Sequence, residues 1–259
     1  MADVGIVIPV YNKIATTLEC IGHIREQNPA GGYEIVVVDN ASTDDTPRAL
    51  GALEGVGYVR NDRNLGVSAA LNVGAQRIPR ADILVFMHND VFVEKKGWIE
   101  DIHRFLMERA DAGVTGLYGA KTLRRDASFR GRSIVHCKSG SPAARAFASG
   151  STAAAVVDGL LMAVRREVFQ AARSFNEDFP IHHYDKDFSM RAAALGLKNH
   201  VLCIPFRHLC AVTRRDIAGE DDIRERDRLR FIALWDGHLP FDVSSRWDRF
   251  FALFGRRRA

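Results

Sequence analysis

The chain has 259 residues, 47% of them hydrophobic, enough to bury one large core or two small ones. Its 36 Lys and Arg against 32 Asp and Glu give a formal charge of +4, a mild and mixed balance that offers no case for nucleic acid as a partner. No stretch reaches the ~20 apolar residues of a membrane span, the first residues lack a signal-peptide pattern, and Cys20, Cys137, Cys203 and Cys210 have no C-x-x-C spacing. Such scattered cysteines read as reduced thiols, and the expectation is a cytoplasmic protein.

Gly5 to Val10 is an apolar, β-branched run that breaks at Pro9-Val10-Tyr11-Asn12. Thr16 to Gln27 carries apolar residues at helical spacing, with Thr16 or Thr17 as the expected cap. Glu34 to Asp39 is a second buried strand ending in a carboxylate, and Pro47 starts a short helix before a third strand at Gly57 to Arg60. A helix over Val67 to Gln76 leads to Ile83 to Met87, an unbroken apolar run too short for a helix, which is how a strand buried on both faces reads. Alternation of this kind predicts an α/β fold: a mostly parallel sheet with helices on both faces. Further on, Trp98 to Glu108 reads as a helix, Gly116 to Lys121 and Ser133 to Cys137 as short strands, and Lys138 to Gly150 as a mobile loop. Ala153 to Val164 is strand-like, Arg166 to Arg173 and Asp185 to Leu195 are helical, and Lys198 to Ile204 is a strand.

His88, Asn89 and Asp90 follow the fourth strand, where open α/β sheets bind their ligands. A carboxylate there can hold a hard cation, and Asp39 and Asp90 share one rim of the sheet. The first strand is not followed by G-x-G-x-x-G, and there is no G-x-x-x-x-G-K-[ST] loop and no Gly- and Arg-rich phosphate loop of a sugar nucleotidyltransferase.

Six segments in order carry a resemblance: Ile6 to Asn12, Ile35 to Asp44, Asn64-Leu65-Gly66 with Asn72-Val73-Gly74, His88-Asn89-Asp90, Asp158 to Phe169, and Phe175 to Gly196 with its Tyr184-Asp185-Lys186-Asp187. Together they resemble the family 2 glycosyltransferases of GT-A fold, of the rhamnosyltransferase-like type. The resemblance implies one GT-A domain with a small second sheet completing the site. Its nucleotide-binding half would run to about residue 110, its metal and acceptor half over about 111–215, and a helical extension over 216–259.

The resemblance also implies roles. Asp39 is similar to the carboxylate that accepts the N3–H of a pyrimidine, and Pro9, Val10, Tyr11 and Asn12, with Asn64, Gly66, His88 and Asn89, would line the nucleotide. Asp90 resembles the last residue of the D-x-D motif that holds Mn²⁺ or Mg²⁺ against the donor diphosphate, and His208 stands where many GT-A enzymes supply a histidine to the metal. Asp185 resembles the general base that takes the acceptor proton. The chain departs from the pattern twice: His88 and Tyr184 stand where the family has acids. Asp187 reads as a helix cap, Arg191 as its i+4 ion-pair partner, and His182, His183, Arg214 and Arg215 as solvated or phosphate-facing residues.

The expected activity is metal-dependent, inverting transfer from a UDP- or dTDP-sugar to a saccharide or lipid-linked hydroxyl, in bacterial surface glycan or glycolipid assembly. The rival is a non-catalytic GT-A domain that binds nucleotide or a partner, motivated by His88 and Tyr184. From Arg246 to Arg258 aromatic and basic residues share a helical pattern, which fits packing on the body, a dimer contact, or peripheral contact with the inner face of a membrane.

Overall fold

A computed structural model describes residues 3–129, 133–137, 150–209 and 219–244. Six elements build the amino-terminal half in strict alternation: β1 (Val4–Val10), α1 (Ile14–Gln27), β2 (Tyr33–Asp39), α2 (Thr46–Gly51), β3 (Gly57–Arg60) and α3 (Val67–Arg77). Then come β4 (Ile83–Met87), β5 (Val91–Val93), α4 (Trp98–Glu108), β6 (Ala112–Gly116), β7 (Tyr118–Ala120), β8 (Thr122–Leu123) and β9 (Ile134–His136). The rest comprises β10 (Ser151–Ala154), β11 (Val156–Val157), β12 (Leu161–Arg165), α5 (Arg166–Ala171), α6 (Tyr184–Ala194), β13 (Lys198–Leu202), β14 (Phe206–His208), α7 (Glu220–Leu234) and β15 (Phe241–Asp242).

Eight strands form the central sheet in the order β10-β13-β6-β12-β4-β1-β2-β3. β1 runs parallel to β2 and β4, β2 parallel to β3, and β13 parallel to β6, while β12 and β10 run against their neighbours. The strand period of two explains the unbroken apolar runs. Ile6 and Ile8, Ile35 and Val37, Ile83 and Val85 pack with Cys20, Ile21 and Ile24 of α1 and Trp98 of α4 on one face. Their neighbours Val7, Val36, Val38, Leu84 and Phe86 pack with Leu71 and Ala75 of α3 and Phe188 of α6 on the other. At Gly74 a Cβ would lie 2.2 Å from a Val7 methyl, so only glycine lets α3 press this closely on β1.

Several expectations shift. α1 begins two residues before Thr16, and its cap is Lys13 in a left-handed conformation, φ 64°, with no side-chain hydrogen bond. The strand expected at Gly116 to Lys121 is reduced to β7, Gly116 instead closing the unexpected β6 in the core of the large sheet, and the long strand expected at Ala153 to Val164 divides into β10, β11 and β12. β11, β7 and β9 form the small second sheet.

The expectation of reduced thiols throughout is corrected: Cys137, after β9, is disulfide-bonded to Cys203, at the exit of β13. Their sequence separation of 66 gives no local pattern, and the two meet only because the fold sets the end of β9 beside the end of β13. Cys20 stays a buried free thiol, its pKa pushed up to about 12 by burial first and by Asp90 second. Cys210, Arg214, Arg215, most of the Lys138 to Gly150 loop and the Arg246 to Arg258 tail lie outside the described residues.

Candidate functional site

The carboxyl ends of β1 and β4 and the start of α6 converge on one cleft of about 410 Å³. Pro9, Val10, Tyr11, Asn64, Gly66, His88, Asn89, Asp90, Asp185 and His208 all line it. Asn12 and Asp39 are not on its wall. Asn12, at φ 60°, accepts the Thr43 amide at 2.7 Å and the Asp44 amide at 3.2 Å, knitting the β1 exit to the β2 exit. The fully buried Asp39 carboxylate accepts the Ser42 amide at 2.7 Å and the Tyr58 hydroxyl at 2.8 Å, and pairs with the guanidinium of Arg60.

Gly66 has φ 87°, and a Cβ there would meet the Pro180 carbonyl oxygen at 2.6 Å. That close approach lets Pro180 accept the Val67 amide at 2.6 Å at the start of α3. Asn64 accepts the Gly66 amide at 2.9 Å, and Asn40 donates to the Gly66 carbonyl at 3.0 Å. Buried Asn89 donates to Thr17 at 2.9 Å and so faces α1 as well as the cleft.

His88, Asp90 and His208 each offer one ligand atom, all within 4.8 Å of one another. The antiparallel pairing of β14 with β5, which sets His208 opposite Val91, brings the histidine to Asp90 across 118 residues of sequence. His208 Nε2 lies 3.2 Å from Asp90 Oδ1. Burial raises the Asp90 pKa, but the hydrogen bond from His208 and the nearness of both imidazoles outweigh it, and the carboxyl titrates below its ordinary value. Two imidazoles and one ionised carboxylate fit a divalent transition ion: the separations suit a single ion touching all three groups, and the donor set is mixed nitrogen and oxygen.

Asp185 lies in the first turn of α6, whose N-cap, His183, is left-handed at φ 64°. Its carboxylate accepts the Gly159 amide at 3.0 Å and the Lys186 amide at 2.8 Å. Burial first, and the neighbouring Asp158 carboxylate second, raise its pKa despite those two donors. Lys186 is half-buried beside it, donates to the Ala127 carbonyl at 2.8 Å and lies over the Phe129 ring; desolvation lowers its pKa. A carboxylate whose pKa is lifted by burial and a like charge binds a proton more tightly than an exposed one.

Asp187 does not cap α6. It is fully buried, accepts the Trp235 indole N–H at 3.0 Å and the Arg191 Nε–H at 2.8 Å, and so ties the end of α7 to the body. The i+4 pair with Arg191 forms as expected, and Arg191 also donates to the Ser174 carbonyl at 2.7 Å. His182 lies 3.4 Å from Glu220, the first residue of α7, and Arg224 one turn later lines the cleft. Sequence reasoning assigned no role to Asp158, Lys186 or Arg224. For Asp158 a signal was present, since a carboxylate directly before the glycine of Asp158-Gly159 was in view; for Arg224 there was none.

A mainly parallel sheet with a cleft of acids and imidazoles at its carboxyl rim is the GT-A architecture of glycosyltransferases. The sequence matches the glycosyl transferase family 2 over residues 5–173, more than half of the chain, and the protein belongs to that family. It is 31% identical over 102 residues to glycosyltransferase AglE of Haloferax volcanii, covering 38% of this chain and 33% of that protein. It is 29% identical over 183 residues to undecaprenyl-phosphate 4-deoxy-4-formamido-L-arabinose transferase of Klebsiella pneumoniae, covering 67% of this chain and 52% of the relative. The chain thus spans only about half, or less, of the curated relatives it matches. GalNAc-T7 crystallised with UDP, GalNAc and Mn²⁺ superposes with a TM-score of 0.72 at 16% identity, over 97% of this chain and 54% of that one. The mannosyltransferase PcManGT of Pyrobaculum calidifontis, in complex with GDP-Man and Mn²⁺, gives 0.63 at 21% identity, over 91% and 65%. These two likenesses carry the fold. Among the described residues no helix is long and apolar enough to cross a membrane.

Proposed function

We propose that the protein transfers a sugar from a nucleoside-diphosphate donor to a hydroxyl acceptor, with inversion at the anomeric carbon. The observation that carries this reading is one cleft holding a cation-ready set, His88, Asp90 and His208, together with a pKa-raised carboxylate, Asp185. Tyr11, on the cleft wall just past β1, would flank the base; Asp39, at the end of the adjacent β2, is buried off that wall with its carboxylate held by Ser42, Tyr58 and Arg60, and would accept the imide N–H of uracil or thymine only with Arg60 displaced. Asp90, His88 and His208 would hold Mn²⁺ or Mg²⁺, which when bound supplies Lewis-acid stabilisation of the departing diphosphate. Asp185 would remove the acceptor hydroxyl proton as that oxygen attacks from the face opposite the leaving group. The acceptor is a saccharide or lipid-linked hydroxyl, approaching from the side walled by His182, Lys186 and Arg224. The non-catalytic alternative has less support, because the cleft that carries the cation-ready set also keeps the Asp185 carboxylate on its wall.

The test combines binding and turnover. Calorimetric titration of UDP, dTDP, GDP and CMP with and without Mn²⁺ is expected to find Mn²⁺-dependent binding of a pyrimidine diphosphate, weakened by Asp90→Ala. Asp185→Asn is expected to keep that binding and to lower transfer or donor hydrolysis by roughly 10²- to 10⁴-fold. Nucleotide binding that ignores both the metal and Asp90 would overturn the assignment.

A further inference from the structure

His88 and Tyr184, the two positions where acids are replaced, lie 96 residues apart and touch. His88 Nε2 is 3.2 Å from the Tyr184 hydroxyl oxygen, which is in turn 3.5 Å from the Gly159 carbonyl oxygen. Tyr184 is 4% exposed and its ring packs edge-on against Phe175, so the hydroxyl has little freedom to leave. Gly159 makes the space: a Cβ there would lie 2.1 Å from the Tyr184 hydroxyl oxygen. The two departures therefore form one unit.

A carboxylate ligand presents two equivalent oxygens and needs no partner to choose between them. An imidazole must protonate one nitrogen and offer the other, and the hydrogen bond at the first sets which lone pair a metal meets. We propose that Tyr184 is a positioning residue for His88. Nε2–H donates to the tyrosine oxygen, the tyrosine O–H donates to the Gly159 carbonyl, and Nδ1 is left to complete a three-residue cation site with Asp90 and His208. The inference rests on the reading of Asp90 and His208 as cation ligands.

Mn²⁺ affinity, read by electron paramagnetic resonance of the free ion, tests it without any turnover assay. Tyr184→Phe keeps the ring and removes only the hydroxyl; it is expected to weaken Mn²⁺ by about tenfold, and to add nothing in a His88→Ala background. Affinity equal to wild type, or the same loss with and without His88, would overturn the role of the tyrosine while leaving the cation site in place. Failure of the wild type to bind Mn²⁺, or undiminished binding by Asp90→Ala, would overturn both. Nitrogen NMR of the metal-free wild type needs no variant: the Nε2–H tautomer of His88 is expected, and the Nδ1–H tautomer would sink the proposal.

Discussion

Asp185 meets opposing influences at atomic range. Two backbone amides and the start of a helix favour its ionised form, yet burial and Asp158 prevail and raise its pKa. A base of this kind is still protonated where an ordinary aspartate is ionised, so the transfer rate should climb with pH along an acid limb set by Asp185. Asp158→Asn removes the like charge and keeps an oxygen to accept the Leu160 amide, now held at 3.0 Å. The acid limb should therefore move to lower pH, and a pH–rate profile of the variant checks it. An unmoved limb would mean that the limb belongs to another group.

At the scale of elements, α6 starts on a histidine that the fold keeps neutral. His183 is stacked on Phe231 of α7, with ring centroids 5.4 Å apart, and its pKa is lowered to about 3 by burial first, then by Lys186, His182 and Arg228. All three of those side chains are cationic or can become so. Between the unfolded value near 6.5 and the folded one, the unfolded chain binds a proton that the folded chain refuses, so stability falls as pH drops through that window. The loss approaches about 1.4 kcal/mol per pH unit for one proton. His183→Asn suits the left-handed cap and removes the group. Urea melts at pH 7.5 and pH 5 should show a smaller acid loss for the variant than for the wild type, and equal losses would assign the effect to other groups.

The same scale shows what the sequence could carry. β4, α4 and β3 were readable to the residue because two-faced burial and helical spacing leave local patterns, and the polar residues closing β1 and β4 were readable as a rim. β6 was missed because Ala112-Gly113-Val114-Thr115-Gly116 is small and interrupted; it is a core strand through its neighbours β12 and β13 rather than its own residues. The site was legible as separate ends of strands and helices. What joins them was not: the contact of His88 with Tyr184 and the span of the Asp187–Trp235 hydrogen bond depend on how distant elements cross.

For the molecule as a whole, the Cys137–Cys203 bond closes a long stretch of chain and joins the small sheet to the exit of β13. With a sequence separation of 66, the chain-entropy argument assigns it roughly 4 kcal/mol of stabilisation, a melting shift on the order of 10 °C for a chain of this size. The cation site lies just beyond, since Ile204 and Pro205 lead from Cys203 into β14 and His208. Yet β14 is held independently: Glu94 donates its amide to Pro205 at 2.8 Å, Leu209 donates to Asp90 at 3.1 Å, and β14 pairs along β5 between them. Global stability and cation binding should therefore separate. A Cys137→Ser, Cys203→Ser double variant, or the wild type in reductant, is expected to melt lower while binding Mn²⁺ with wild-type affinity at 20 °C, and a non-reduced peptide map should show the two cysteine peptides joined. If reduction left the melt unchanged, the bond would not contribute to the native fold; if it abolished Mn²⁺ binding below the melt, the β5–β14 ribbon would not be the element that places His208.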